Sequence, residues 1–430
     1  SALTASSDVS LSALAGNLTT TTASTVGGAL NASAGANVTF GAALTVAGNI
    51  NATAGGALTI SGPMTGQGTG SLVAGTDVTG AGALSFGNAV TINAGHDTAL
   101  TGALAAQTID VAAGNNVALA TVQAGEALTV TASGHAGGRD ATFAGNVAAL
   151  GALQVSAARD SAVAGTTNGG ATTTLTAGRN LTQTGGLNSV GNVSMTAGSG
   201  SLAANGVATQ GALTASSAQS LAISGATTAN VDVNLTSGGA MTLGAVTGQA
   251  SDATAGTLKA GGDLHATSIA FGNGAATLQA GGSIGVTGAL TAGAAVNATA
   301  ANDASFGGVQ AAATLSLQAL GHNGAGDLSV AGPLQAGGAA TLSAARNLTV
   351  AGAATAGGAF NATAGRDLTM GGALGANGDI VLAATNGAMA LNGAVSAVAN
   401  FTATAAGALS IGAAQINGNT RLTSAGAMSI

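Results

Sequence analysis

The feature that most constrains this chain is a short unit that recurs along almost all of its 430 residues. Residues 360–370 read FNATAGRDLTM, and close variants occupy residues 30–40, 50–60, 341–350 and 401–411. A repeat of this length cannot bury its own apolar residues, so it must stack on its neighbours in a solenoid.

The repeat keeps one phase from end to end. The marker is the residue that follows a small turn of the form Gly-x-Asp/Asn, and most markers are 19 to 21 residues apart. The 21 markers are Leu18, Val38, Leu58, Val78, Thr98, Val117, Ala141, Ser161, Leu181, Leu202, Leu221, Met241, Leu264, Ile284, Ala304, Leu328, Leu348, Leu368, Met389, Leu409 and Met428. A constant return places each strand beside its counterpart in the next unit, which predicts parallel pairing.

Within one unit, apolar and polar residues alternate. In residues 30–46, Leu30, Val38 and Leu44 begin three short runs in which Thr, Ser or Asn fill every second position. Alternation with period two predicts strands with one buried face, and the abundance of Thr, Val and Gly disfavours helices. The glycines between the runs, Gly35, Gly41 and Gly48, are expected to turn the corners with positive φ.

These patterns predict an all-β fold, a parallel β-helix of about 20-residue coils with a roughly triangular cross-section. We expect residues 1–430 to form a single continuous array, a rod cut from a longer protein, because the pattern is already under way at Ser1 and still running at Ile430. All seven Phe residues fall at inward strand positions and are predicted to be core: Phe40, Phe86, Phe143, Phe271, Phe306, Phe360 and Phe401.

The composition excludes several classes of function. With seven Lys and Arg residues and a net charge of -7, the chain lacks the basic surface that nucleic-acid binding needs. It has no Cys, so it has no disulfides and no thiolate metal ligands. Thr, Ser, Asn or Gly interrupt every apolar window, so we predict no membrane span.

Three steps of the repeat are longer than the rest, at 23 or 24 residues. Two of them lengthen the same turn, at residues 133–139 and 320–326, and the third lies near residues 248–256. Insertions in a solenoid emerge as loops, so these are either tolerated turn variants or contact loops. His135 and His322 mark the first two as possible ligand-contact turns.

Five of the six Arg residues stand immediately before the Asp or Asn of the Gly-x-Asp/Asn turn: Arg139, Arg159, Arg179, Arg346 and Arg366. One interpretation is a solvated turn, in which the Asx side chain caps its own backbone and each Arg pairs with an Asp one coil away. The other is a stripe, formed by Arg139, Arg159 and Arg179, that contacts an anion or a glycan. Substitution of these three by Ser would then weaken binding to a sulfated glycan.

Other chemistry has less support in the sequence. Residues 324–327 (GAGD) resemble part of the nonapeptide calcium repeat, but the tandem nine-residue spacing is missing. Asp77 and Asp97 would lie one coil apart and could form a carboxylate pair for glycoside hydrolysis, yet the chain has no Trp or Tyr and one Lys, Lys259, to line a cleft. We therefore predict no enzyme, no cofactor and no metal site.

Several units resemble the haemagglutinin repeats of filamentous haemagglutinin and of other two-partner secretion exoproteins, including the stalks of contact-dependent growth inhibition toxins. The units that carry the resemblance are residues 15–20 (AGNLTT), 54–60 (AGGALTI), 260–267 (AGGDLHAT) and 344–374. The resemblance implies a right-handed β-helix and secretion through an outer-membrane partner transporter. It also implies localisation at the bacterial cell surface and adhesion to host or neighbouring cells.

The sequence thus predicts a structural and adhesive shaft segment of a secreted filamentous haemagglutinin-like adhesin. The alternatives are the stalk of a contact-dependent inhibition toxin and, with less support, a carbohydrate-active β-helix enzyme. The amino-terminal secretion domain of the family, with its Asn-Pro-Asn motifs, and any carboxy-terminal toxin domain are absent from these 430 residues, so adhesin and toxin stalk remain open.

Overall fold

A computed structural model describes residues 2–134, 139–249 and 255–430 of the chain. It is all-β, with parallel strands stacked as a β-solenoid of about 21 turns that recur about 20 residues apart. The chain divides into two compact units, Ser1–Ala218 and Gln219–Ile430. Each unit repeats a coil of one five-residue strand, here called the long strand, followed by a first and a second short strand.

In the first unit the long strands are Val9–Ala13, Leu30–Ala34, Ile50–Ala54, Gly70–Ala74, Val90–Ala94, Ile109–Ala113, Leu128–Ala132, Leu153–Ala157, Thr173–Ala177, Val193–Ala197 and Leu213–Ser217. The first short strands are Leu18–Thr20, Val38–Phe40, Leu58–Ile60, Val78–Gly80, Thr98–Leu100, Val117–Leu119, Ala141–Phe143, Ser161–Val163, Leu181–Gln183 and Leu202–Ala204. The second short strands are Thr4–Ala5, Ser24–Val26, Leu44–Val46, Met64–Gly66, Leu84–Phe86, Leu104–Ala106, Val122–Ala124, Val147–Ala149, Thr167–Gly169, Leu187–Ser189 and Val207–Thr209.

In the second unit the long strands are Val233–Ser237, Gly256–Ala260, Ala276–Ala280, Val296–Ala300, Leu315–Ala319, Ala340–Ala344, Phe360–Ala364, Ile380–Ala384, Phe401–Ala405 and Thr420–Ser424. The first short strands are Leu221–Ile223, Leu328–Val330, Leu348–Val350, Leu368–Met370 and Met428–Ser429, and the second are Thr227–Ala229, Leu334–Ala336, Ala354–Ala356 and Leu374–Ala376. Elsewhere the two short strands run together as Met241–Gly248, Leu264–Phe271, Ile284–Ala292, Ala304–Ala311, Met389–Ala397 and Leu409–Ile416.

Within each unit, strands pair in parallel with the equivalent strands of the next coil. Leu30 lies opposite Ile50, for example, and Val38 lies opposite Leu58. All 21 markers identified in the sequence begin a first short strand or a fused strand. The predicted phase and the parallel register are therefore confirmed, and three strands per coil are found except where the two short strands run together.

The core is a set of inward ladders. Residues 30–34 alternate buried and exposed as Leu30, Ala32 and Ala34 turn inward, and the same alternation recurs in most strands. The seven Phe side chains are all buried, with at most 4% of any of them exposed, which confirms their predicted place. Because a single coil is too small to enclose its own apolar side chains, the coils before and after it complete this burial.

One stretch of the first unit has a polar interior. The side chains of Thr167, Thr173, Gln183 and Ser189 are buried, which the sequence reading did not foresee. Thr167 Oγ1 lies 2.9 Å from Gln183 Oε1, and Thr173 Oγ1 donates to Ser189 Oγ at 3.0 Å. Gln183 Nε2 also donates to the carbonyl of Gly165 at 3.0 Å. These polar side chains are tolerated inside because they bond one another or backbone carbonyls.

The corner glycines have a different role from the one predicted. Positive φ values occur, among the described glycines, at Gly134, Gly321, Gly324 and Gly326, all in the two long turns, and not at Gly35, Gly41 or Gly48. A Cβ on Gly35 would instead lie 2.3 Å from the carbonyl oxygen of Leu14 in the preceding coil. The prediction was wrong because glycine here permits close backbone approach between coils rather than an unusual turn conformation.

Candidate functional site

The predicted contact residues lie on the turn between a long strand and the following first short strand. The position just before the marker forms what we call the Asx column: Asn17, Asn37, Asp77, Asp97, Asn116, Asp140, Asp160 and Asn180 in the first unit, and Asp263, Asp303, Asp327, Asn347 and Asp367 in the second. Every member accepts, through Oδ1, the backbone N–H of the residue at the same place in the next coil, at 2.7–3.4 Å.

The hydrogen bonds of the Asx column differ from the ones predicted. We expected an Asp or Asn that caps its own backbone, as in an Asx-turn, but Asp77 bonds the N–H of Asp97, 20 residues further on. The stacking of identical turns brings the next coil's N–H within reach of the carboxyl oxygen, so the bond ties two coils together. Asp77 and Asp97, the pair considered for glycoside hydrolysis, are both used in this way, since Asp97 accepts the backbone and side-chain N–H groups of Asn116.

Three Arg residues pair with the Asx column of the coil before them. Arg159 Nε donates to Asp140 Oδ1 at 2.8 Å, and its Nη2 lies 2.5 Å from Asp140 Oδ2. Arg179 makes the same two-bond contact with Asp160, with Nε to Oδ1 at 2.9 Å. The predicted pairing of Arg with an Asp one coil away is confirmed for these residues.

Arg346 is the third, bonded to Asp327 through Nε at 2.9 Å and Nη2 at 2.5 Å. Arg139 and Arg366 lack such a contact, because the Asx column places Asn116 and Asn347 in the coils before them. Arg366 lies 3.7 Å from Asp367 of its own turn. Among the described residues, no carboxylate lies within 4.0 Å of the Arg139 guanidinium.

The pairing shifts the titration of the carboxyls. Hydrogen bonds from Arg159 hold the pKa of Asp140 below its usual value, against the opposing effect of partial burial. Arg179 lowers the pKa of Asp160 and Arg346 lowers that of Asp327 in the same way. Because these carboxyls stay ionised, Asp140 and Asp160 place negative charges between the positive charges of Arg139, Arg159 and Arg179. Contact between this stripe and a ligand stays a prediction.

The long turn at residues 320–326, here called the second insertion, is held in a defined shape. It contains a single 3-10 turn, His322–Gly324, and His322 is exposed while its backbone N–H donates to Ala301 at 2.8 Å. Arg346, from the next coil, donates through Nη1 to the carbonyl of Gly324 at 2.8 Å. One guanidinium thus binds both the Asx column and the loop above it.

The other long turns are only partly described. His135 lies outside the described residues, as do residues 136–138 and 250–254, so its predicted contact role stays a prediction. Arg139, at the end of the first insertion, is exposed, and its backbone N–H donates to Asn116 Oδ1 at 2.8 Å. The first two insertions do lie at the same turn of the coil and the third at a different one, as the spacing indicated.

Metal binding finds no support in the described part of the chain, where no three His, Asp or Glu side chains come close enough to hold an ion. Over the same residues the structure contains no helix with the length and apolarity needed to cross a membrane. Asp327, which belongs to the calcium-like stretch GAGD, is occupied by Arg346 and by the N–H groups of Asn347.

Sequence reasoning missed a groove in the second unit, at the corner between the two short strands of three successive coils. Its lining includes Gly307, Gly308, Gln310, Pro333 and Gln335, and its volume is about 470 Å³. The adjacent glycines 307 and 308 were the available signal, but in a chain with 73 glycines they do not stand out. Only the stacking of coils shows that these residues share one surface.

Comparison with known proteins does not assign this chain to a family. A scan against protein-family models, a search of curated proteins and a search of solved structures each found no match. The function must therefore be argued from the fold and its surface alone.

Proposed function

We propose that this chain is a structural and adhesive shaft segment of a secreted bacterial surface protein of the filamentous haemagglutinin type. The observation that carries the proposal is the regularity of the coil. In each unit, inward ladders run from coil to coil in parallel register, and the Asx column adds hydrogen bonds between many of the coils. A chain built in this way extends a surface rather than enclosing a site.

The outward side chains support the same role. On the long strands they are mainly Ser, Thr and Asn, such as Asn51, Thr53, Thr174 and Thr176, and charged residues make up 5% of the chain. Asn51 Nδ2 donates to Asn31 Oδ1 at 2.8 Å, so even the outer polar groups form ladders. Such a surface is hydrated and weakly charged, which suits a segment exposed outside the cell.

Secretion through an outer-membrane partner transporter is part of the proposal. A solenoid gains stability from each coil that is added to the last, so folding can proceed from one end as the chain emerges. The absence of Cys means that this folding requires no oxidation. Both properties support export of an unfolded chain that folds at the cell surface.

Attachment can be tested with the purified chain. Beads coated with residues 1–430 are expected to bind epithelial cells or neighbouring bacteria more than beads coated with albumin at the same density, and soluble chain should compete. Equal attachment of both bead types to host and bacterial cells would contradict the adhesive role. Competition by soluble chain separates specific attachment from adsorption of the beads.

A further inference from the structure

The groove in the second unit lies at one of the places where the register between neighbouring strands shifts. It lies across the fused strands Ile284–Ala292 and Ala304–Ala311 and the second short strand Leu334–Ala336. The register between the two fused strands shifts between Val286 and Ala289, so one strand carries an extra residue at the corner. Bulges of this kind bend a strand and re-aim side chains, and they are frequent beside binding sites.

The floor of the groove is kept open by Gly308. A Cβ built on Gly307 would lie 2.3 Å from the carbonyl oxygen of Thr287, so that glycine is needed for coil stacking. Gly308 has no such constraint. Its Cβ would lie 3.4 Å from the carbonyl oxygen of Pro333, an ordinary contact, and its φ is not in the positive region. A side chain at Gly308 would fit the backbone but would fill the groove.

The rim supplies uncharged hydrogen-bonding groups at the spacing of the coils. Thr291, Gln310 and Gln335 follow one another in register on three adjacent strands, so their outward side chains recur about every 4.8 Å. Gln310 and Gln335 are exposed and offer both amide donors and acceptors. Pro333 provides an apolar surface beside them, and no charged side chain lines the groove.

A second groove gives a useful comparison. In the first unit, residues 99–101, 118–120, 142–144 and 162–164 line a groove of about 440 Å³ near the same corner of the coil. Its outward side chains are mainly Ala with a few Thr, and no amide side chain lines it. Two grooves of similar size thus differ in whether they can form directed hydrogen bonds.

We propose that the groove around Gly308 binds an uncharged oligosaccharide, with successive sugar rings against successive coils. The volume lies within the range of small-ligand sites, and amide and hydroxyl groups beside a small apolar surface match the hydroxyls and C–H face of a sugar ring. A coil spacing comparable to the length of one pyranose ring allows the contacts to repeat along the chain. The inference rests on the attachment role proposed above and names the class of ligand.

Calorimetric titration of the purified 430-residue chain tests the proposal. The probes are cellotetraose, laminaritetraose, maltotetraose and a mannotetraose, with a heparin tetrasaccharide as the charged comparison. At least one uncharged probe is expected to bind, and heparin tetrasaccharide to bind less tightly. Gly308→Leu should weaken that binding about tenfold or more, and Gln310→Ala with Gln335→Ala should weaken it by a similar factor.

Gly375→Leu is the control for Gly308→Leu, because a Cβ at Gly375 also fits without a close backbone contact, its one neighbour being a Thr355 side-chain carbon 3.9 Å away. Binding that is unchanged by Gly308→Leu, equally weakened by both variants, or absent for every uncharged probe would overturn the proposal. If wild-type beads attach to cells while no probe binds, the groove assignment fails and the adhesive role stands. If a probe binds but the beads do not attach to cells, the groove assignment stands and the adhesive role fails.

Discussion

The most direct test of the core is a double substitution at Gly70 and Phe86. The ring of Phe86, 4% exposed, occupies the space that a side chain on Gly70 would take, since a Cβ there would lie 2.4 Å from ring atom Cε1. The coils on either side have Ile50 and Val90 in register with Gly70. In the next coil Val90 is accompanied by Ala106 at the end of the second short strand.

Each single substitution should therefore destabilise the first unit. Phe86→Ala leaves a cavity beneath a glycine and should cost about 3–5 kcal/mol. Gly70→Val forces a side chain into the ring and should cost about 1–3 kcal/mol through overpacking. The double variant recreates the combination of Val90 with Ala106 that the next coil already has. Its loss in free energy of unfolding should therefore be smaller than the sum of the two single losses, by about 2 kcal/mol.

The assay is urea unfolding followed by circular dichroism for wild type, both single variants and the double variant. Hydrogen exchange of the amides in residues 50–94 adds a local measure, because each coil is stabilised by its immediate neighbours. Additive effects, within about 0.5 kcal/mol, would refute the claim that Phe86 fills the place of the Gly70 side chain.

Two further predictions concern the Asx column. Because Asp140, Asp160 and Asp327 have lowered pKa values in the folded chain, their contribution to stability is present above about pH 4 and is lost as pH falls through the folded values. Thermal melts should show a loss below about pH 4 that is smaller when all three are replaced by Asn. Arg346→Ala removes the bond to the Gly324 carbonyl and should therefore increase cleavage of the second insertion in limited proteolysis, while the global melting temperature changes little. Arg366→Ala is the control, because Arg366 contacts Asp367 of its own turn. Equal cleavage of both variants would contradict the role of Arg346 in holding the loop.

The repeat sequence predicted the parts of the fold that depend on a single coil. Alternation located Leu30, Val38 and Leu44 as the first inward residues of three strands, and all three are buried. The phase was readable because each core position is filled from the same small set of residues in coil after coil. Even polar substitutes at marker positions, such as Thr98 and Ser161, are buried as the phase requires.

What could not be read from the sequence depends on the fit between coils. Gly35 was expected to have positive φ, and Asp77 to cap its own turn, because a turn considered alone offers only those explanations. Both residues instead contact the neighbouring coil, Gly35 by backbone approach and Asp77 by a hydrogen bond. The pairing of Arg159 with Asp140 was predictable because charge attraction between neighbours requires only the coil spacing and not the detailed geometry.

A candidate binding surface was hidden in the sequence because it, too, is formed between coils. In a globular enzyme, a cluster of unusual residues within one loop often marks a site, but a solenoid assembles its surface from one or two residues of each coil. Gln310 and Gln335 are 25 residues apart and ordinary in their own repeats, yet they are adjacent across the strands. Gly308 is conspicuous only because its glycine is not required by the backbone around it, unlike Gly307. In a repeat protein, a glycine that the fold does not need is therefore informative where, like Gly308, it lies beside hydrogen-bonding side chains of neighbouring coils.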